Sequence, residues 1–480
     1  MKSFQVPIQP TLILIFVLVA FFGCQNEPVA DEHHGAEIYG MYCAGCHGSQ
    51  LEGGSATALI KTDWKYGRAL NTMTKNVRFG IPGTEMAAWD EVLSLEEVND
   101  VLAYIIQSQS VSPSEERAIP DLLETALYDI TVEELATENM GTPWGIEFVS
   151  DSLALISERE GGLRWIVNGQ LDPVPISGLP ETYRPESAMG YMDIALDPDY
   201  LQNGWIYLAY TFTEDSIKTL DALGMTEIVR GRIEDHRWID MEVLFEAPDS
   251  LRIQQGNRFG SRLMFDQEGY LYFTIGDMHH AEHSQSLNHV SGKVYRIHPD
   301  GRIPEDNPFP DLEGVLAGIY SLGNRNVQGI VQDPIHGTIW MTEHGPMGGD
   351  ELNILKKGAN YGWPVITYGI DYSGDTVSQF VEREGMEQPI TYWTPSIAVC
   401  PLEYCDGKLF PEWSGNLFVG ALAYEEVRRL IMDGQKVVDQ EVILKGVGRV
   451  RDIKFSPSGH MYVLLNGPNK ILRLKPVEAI

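Results

Sequence analysis

Two thiols and an imidazole stand together at Cys43-Ala44-Gly45-Cys46-His47. At this spacing each thiol can form a thioether to a haem vinyl group, while His47 is held under the porphyrin as an axial ligand to iron. Electron transfer is therefore the first chemistry the chain suggests. Zinc would need two further ligands at matching spacing, and no second cysteine pair lies nearby. A thioredoxin-type redox pair would need a βαβ setting, whereas the lead-in Ala36 to Tyr42 reads as helix. Iron also takes a second axial ligand, and Met86 in Ile81-Pro82-Gly83-Thr84-Glu85-Met86 lies in a Pro/Gly-interrupted loop that can turn it inward. Met73 is the rival ligand, and a core methionine is the other reading of Met86. A second set of chemistry-bearing residues is cationic: Arg258 and Arg262 in Asn257-Arg258-Phe259-Gly260-Ser261-Arg262, Arg325 beside Asn326 in Gly323-Asn324-Arg325-Asn326, and the pair in Gly448-Arg449-Val450-Arg451. Their planar forks suit carboxylates and stack on flat rings; structural salt bridges to neighbours such as Asp452 are the plainer alternative.

The elements that must position the thiols are helical. Ser94-Leu95-Glu96-Glu97 is a capping box, and Val98, Val101, Leu102 and Ile105 follow at helical spacing. Helix, haem motif, loop, methionine and closing helix in that order resemble a small class I cytochrome c over residues 32–110, which implies haem c. Such haem is attached outside the bacterial cytoplasm, and Lys2 with the apolar run Leu12 to Phe22 supplies an export signal too short for a comfortable membrane span. The run ends at Phe21-Phe22-Gly23-Cys24, which resembles a lipoprotein cleavage box. Residues 1–23 then form the signal, Cys24 carries a lipid anchor and 24–31 are the tether, in the periplasm or cell envelope; a plain secretory signal is the alternative. An oxidising compartment permits a disulfide between Cys400 and Cys405, with two free buried thiols as the other possibility.

The Ser-, Pro- and Glu-rich stretch around 111–125 reads as a linker, leaving residues 126–480 for a larger domain. Within it a polar turn followed by an apolar strand recurs at Asp151 to Ile156, Asn203 to Leu208, Glu268 to Phe273, His336 to Met341, Ser414 to Val419 and Ser458 to Val463. Each copy follows another apolar strand, so each unit contains a hairpin. Six such units predict a large all-β six-bladed β-propeller behind the small all-α cytochrome c domain, with a double β-sandwich as runner-up. Equivalent positions in successive blades lie on one side of the central axis, so the arginine motifs should converge at one mouth. The formal charge of −33, from 68 acidic and 35 basic residues, argues against nucleic acid and favours a basic redox partner.

The propeller segment resembles the soluble aldose sugar and glucose/sorbosone dehydrogenases, six-bladed propellers that bind pyrroloquinoline quinone (PQQ) and calcium. The matching segments include Thr142-Pro143-Trp144-Gly145, Asp193-Ile194-Ala195-Leu196-Asp197-Pro198, Gly260-Ser261-Arg262-Leu263, Thr274-Ile275-Gly276-Asp277, Leu322-Gly323-Asn324-Arg325-Asn326, Glu343-His344-Gly345-Pro346, Gly349-Asp350-Glu351-Leu352-Asn353, Asn360-Tyr361-Gly362-Trp363-Pro364 and Arg449-Val450-Arg451-Asp452. The resemblance implies that Arg325, Asn326, Arg449 and Arg451 hold PQQ, that carbonyls of Gly345 and Pro346 bind a catalytic calcium, and that Glu351 and the Tyr361 backbone form a second calcium site. Trp393 and Thr394 would line the ring pocket, and Arg258 and Arg262 fall in the catalytic segment. The chain also departs from the family. Its catalytic histidine falls on Arg258, a guanidinium that takes up no proton, its glutamine on Ala188 and its lysine on Ala423, while Met278 follows the Gly-Asp pair. His279, His280, His283, His344 and Glu186 are the titratable groups available instead.

These features predict an oxidoreductase that oxidises a sugar or polyol through PQQ and passes electrons to its own haem c, then to an external cytochrome or copper protein. The competing expectation is a haem-bearing carbohydrate-binding or signalling propeller without dehydrogenase activity.

Overall fold

The computed structural model describes residues 32–60, 70–81, 84–110, 119–183, 189–213, 222–254, 258–309, 314–371 and 375–477. The export signal and Cys24, the Pro82-Gly83 pair, Glu186, Ala188 and Asn257 lie outside the described residues. No helix among the described residues is long and apolar enough to cross a membrane.

The first part of the chain is helical: α1 (Glu32–Tyr42), the single turn α2 (Ala44–His47), α3 (Leu70–Phe79) and α4 (Leu95–Ser110). The capping box forms in both directions, with Glu97 N–H donating to Ser94 Oγ at 3.2 Å and Ser94 N–H to Glu97 Oε2 at 2.7 Å. The apolar face of α4, Val98, Val101, Leu102 and Ile105, is buried against Ile38, Tyr39, Trp89 and Leu93. Gly35 lets α1 cross α4 closely, because a Cβ there would lie 2.1 Å from the Asp100 carbonyl oxygen.

The rest forms six antiparallel sheets of four or five strands. Every sequence repeat supplies the second strand of a sheet: Leu153–Glu158, Ile206–Phe212, Leu271–Ile275, Ile339–Glu343, Leu417–Ala421 and Met461–Asn466. These strands are buried on both faces, as stacked blades require, and the double sandwich is excluded. Between blades 2 and 3 the packing is aromatic, with Phe273 stacked on Tyr295 at 4.8 Å and Phe245 against both. The ring closes through a strand ahead of the first repeat: Asp129–Glu134 pairs antiparallel with Lys470–Pro476, so both ends of the propeller segment build blade 6.

The first strands lie innermost and pack on one another, and carboxylates near one mouth stitch neighbouring blades together. Asp193 Oδ2 accepts from Leu263 N–H at 2.9 Å, Asp350 Oδ2 from Val399 N–H at 2.9 Å, and Asp452 Oδ2 from Ile146 N–H at 3.2 Å. Irregularities in strand register fall at Trp144, Gln328, Cys400 and Arg451. Bulges re-aim side chains, and these four converge. Arg451 Nη1 donates to Gln328 Oε1 at 3.1 Å and to Cys400 Sγ at 3.4 Å, with its guanidinium 5.6 Å from the Trp144 ring.

Two sequence expectations fail here. Cys400 and Cys405 are both free and buried. They are five positions apart along a strand that ends at Tyr404, so they point to opposite faces and their Cα atoms are roughly 16 Å apart, far beyond disulfide reach. Trp393 does not line a ring pocket: it is buried between blades 4 and 5, its indole donating to Gln440 Oε1 at 3.0 Å.

Candidate active site

Helix α1 ends at the first thiol, and the chain turns tightly through the motif, His47 N–H donating to Cys43 O at 2.9 Å. Gly48, at φ +80°, breaks the turn, and the Tyr39 hydroxyl donates to its carbonyl at 2.6 Å. Burial pushes the Cys43 thiol up to about 12, and Cys46 also upward. His47 Nδ1 lies 2.9 Å from the Thr57 carbonyl, so the proton sits on Nδ1 and Nε2 keeps its lone pair for iron; burial holds the ring below the usual histidine value, which favours that neutral form. Met73 is buried in the α-helical core at 2 % exposure. Met86 packs half-buried on the edge of that core, in a loop closed by Ile81 N–H donating to its carbonyl at 3.1 Å. Of the two methionines, Met86 lies half-buried in a loop and Met73 is packed inside the core.

At one mouth of the propeller the predicted arginines come together, in different roles. Arg262 is consumed by the walls: Nε donates to Gln328 O at 2.6 Å, Nη2 to Arg451 O at 2.7 Å and Nη1 to Asp452 Oδ1 at 2.9 Å, with Asp193 3.5 Å away and the Trp144 ring 4.4 Å below. Its donors are spent on the propeller walls, the arrangement of an axial strut. Arg449 and Arg451 differ. Arg449 is buried and Arg451 half-buried, neither has a carboxylate within 4 Å among the described residues, and desolvation lowers both, Arg451 to about 10. Arg325 Nη1 donates to the carbonyls of His344 and Gly345 at 3.0 and 2.7 Å, and Asn326 Oδ1 accepts from Gly260 N–H at 3.0 Å.

The guanidiniums of Arg449 and Arg451, with no carboxylate within 4 Å among the described residues, suit a flat polycarboxylate, and the residues present fit PQQ on that ground. The Gly345 carbonyl faces a cation, here Arg325. Beneath it burial raises Glu343 to about 7, and burial with the charges of Glu343 and Asp350 raises Glu351 to about 8. Asn353 Oδ1 is buried there with no hydrogen-bond partner among the described residues. Crowded carboxylates and an orphan amide oxygen suit a hard divalent cation such as calcium. The Tyr361 phenol is tied to Ile354 O at 2.7 Å, so only its backbone can serve that site. Thr394 is exposed, and its hydroxyl accepts from Gly349 N–H at 3.1 Å, bracing the turn after Pro346.

Arg258 adopts φ +69° and reaches the buried Asp277 at 3.3 Å, whose Oδ2 also accepts from the Trp363 indole at 2.8 Å. Sequence reasoning missed Asp277 as its partner, although the Thr274 to Asp277 segment contained it. Cys400 beside Arg451 carried no sequence signal. Ala423 and Met278 are buried and apolar. Among the alternative titratable groups, His279 contacts Glu85 at 3.3 Å, His280 and His283 stack on each other at 5.0 Å, and His344 is held well below the usual histidine value by burial and by Arg325, Arg451 and Arg449.

The helical domain sits on this same mouth. Arg449 Nη1 donates to the Ala44 carbonyl, inside the haem motif, at 3.3 Å. A Cβ on Gly54 would lie 2.8 Å from Cys46 O and 3.3 Å from Arg449 Cζ, so glycine permits the close approach. Met347 packs on the helical core, and Gly467 lies against Glu52. Blades 3, 4 and 6 thus contact the helical domain around the arginine cluster.

A cytochrome c domain seated on the arginine-lined mouth of a six-bladed propeller defines an oxidoreductase of the sugar dehydrogenase type. Residues 140–473 match the Glucose / Sorbosone dehydrogenase family, and the chain belongs to it. Residues 30–105 match the family of cbb3-type cytochrome c oxidase subunit III. The aldose sugar dehydrogenase YliI of Escherichia coli is 36% identical over 350 residues, 72% of this chain and 92% of that protein. A crystal structure of the soluble aldose sugar dehydrogenase from Escherichia coli in the apo-form covers 72% of this chain and 100% of its own, at 35% identity and TM-score 0.67. The PQQ-bound aldose sugar dehydrogenase of Streptomyces coelicolor shares the fold at TM-score 0.57 and 23% identity, covering 72% of this chain and 98% of its own.

Proposed function

We propose that this chain is an envelope-tethered dehydrogenase that oxidises a sugar or related polyol with PQQ and calcium, and that its own haem c carries the electrons to an external cytochrome or copper protein. The observation that carries this reading is the hydrogen bond from Arg449 to the Ala44 carbonyl, which seats the Cys43–His47 turn that would bear haem against the arginines that would bind PQQ. Arg325, Asn326, Arg449 and Arg451 would hold the carboxylates and quinone oxygens, with Thr394 bracing the pocket wall. Carbonyls of Gly345 and Pro346 would take one calcium, Glu351 and the Tyr361 backbone the second. When bound, PQQ supplies a two-electron oxidant and haem a one-electron carrier. Arg258 grips Asp277 and takes no proton, so the substrate hydroxyl proton leaves through another group. The lipid on Cys24 would keep the unit at the membrane.

Arg258 also favours a second reading, a haem-bearing carbohydrate-binding or signalling propeller without dehydrogenase activity. Reconstitution with PQQ and calcium, followed by haem absorbance as aldoses are added, separates the two. Haem reduction that requires both cofactor and sugar supports the dehydrogenase. PQQ binding without haem reduction by any aldose leaves only the second reading, and failure to bind PQQ overturns the cofactor.

A further inference from the structure

Four of the twelve histidines fall within residues 279–289, between strands of blade 3. A 3-10 turn over Ala281–Gln285 organises them, its first hydrogen bond running from His283 N–H to His280 O at 2.9 Å. Three residues per turn eclipse positions i and i+3, and the His280 and His283 rings are accordingly parallel, 9° apart in plane with centroids at 5.0 Å. His289 stacks behind His283 at 3.8 Å and 4°. Imidazolium rings that close would repel one another, so the stack is built for neutral imidazoles, the form that binds metal. Glu282 Oε1 lies between the two front rings, 4.0 Å from His280 Nδ1 and 3.7 Å from His283 Nε2. The other nitrogen of His283 is 3.4 Å from Ser291 Oγ, which orients the ring toward Glu282.

We infer that His280, His283 and Glu282 form a binding site for a borderline divalent cation of the Zn²⁺ class, with His289 and Ser291 fixing His283. The three ligand atoms lie within 4.8 Å of one another. A tetrahedral ion with bonds of about 2.1 Å needs its ligands about 3.4 Å apart, so side-chain rotations of about 1 Å close the site and water completes it. Two nitrogens and one carboxylate oxygen select zinc or copper over calcium, which takes six to eight oxygens. The site is distinct from the haem ligands and from the carboxylate cluster around Glu351. It also stands at the seam between domains, since the preceding residue, His279, contacts Glu85 in the loop that carries Met86.

The test uses the full, haem-loaded chain without a histidine tag and saturated with calcium, so that Cys43, Cys46 and His47 are occupied and the oxygen sites are filled. Titration with ZnCl₂ by calorimetry is expected to show one stoichiometric site, and one equivalent of Cu²⁺ an electron paramagnetic resonance spectrum with nitrogen couplings from two imidazoles. The variant His280→Ala/His283→Ala should weaken binding at least about 100-fold, and Glu282→Gln about 10-fold or more. The single variant His280→Asn, with thermal melting and haem spectrum checked, guards against a folding defect in the double variant. Absence of a stoichiometric site, or affinity unchanged in both His280 variants, overturns the proposal.

Discussion

Replacing Arg262 by methionine distinguishes an axial strut from a catalytic group. The side chain fills a similar volume, but it leaves Asp452 and Asp193 buried without their cation and the carbonyls of Gln328 and Arg451 without a donor. Removing one partner of a buried pair costs about 3–5 kcal/mol, and each abandoned carbonyl adds about 0.5–1 kcal/mol once relaxation is allowed. The expected loss is about 4–7 kcal/mol. Unfolding entropy near 2.1 cal/mol/K per residue gives about 0.7 kcal/mol/K for a domain of about 340 residues. Melting followed by near-ultraviolet circular dichroism should therefore fall by about 6–10 °C. Adding Asp452→Asn to Arg262→Met should recover part of that loss, as coupled neighbours do. A melting temperature within about 1 °C of the parent, or loss of turnover at unchanged stability, refutes the structural assignment.

Met86→Ala should abolish the sulfur-to-iron charge-transfer band while haem stays covalently attached; Met73→Ala should keep the band and lower stability by about 2–5 kcal/mol. A band lost in Met73→Ala and kept in Met86→Ala would reverse the two roles. Arg258→His should raise PQQ- and calcium-dependent reduction of the haem, because it installs a proton acceptor beside Asp277; an unchanged or lower rate shows that another group already does this work. Burial raises Asp193 and Glu403 each to about 7. The folded state thus holds protons that the unfolded chain has released, so their contribution is full at low pH and is lost as pH climbs through 7. Stability should decline from about pH 4 to about pH 7 and level off above that, and Asp193→Asn with Glu403→Gln should flatten that decline, as equilibrium denaturation across the range would reveal.

The six blades were legible because a second strand buried on both sides must be apolar throughout and must be entered by a turn. Helix α4 was legible through its cap and its apolar stripe. The closing strand Asp129–Glu134 was not, since its pairing partner lies some 340 positions away. At the site, the irregularity at Arg451 interrupts the strand period, so alternation alone does not place Arg449 and Arg451. Alternation cannot register the irregularities that bring Gln328 and Cys400 to the axis, nor can it distinguish Arg262, which points into the ring, from Arg449, which meets the haem motif. The pairing of Arg258 with Asp277 depends on a left-handed backbone at Arg258 that no local pattern dictates.

Because blade 6 is fastened by strands from both ends of the segment, the propeller is a clasp whose two halves arrive last and first. The helical domain packs within residues 32–110 and is upstream of the clasp, so it can fold and receive its haem while the ring is still open. Mutations that truncate the chain before Lys470 should then yield a haem-bearing protein with an unclosed propeller: a coloured but sugar-blind product, and a trap for anyone who uses haem absorbance alone to judge that the whole molecule has matured.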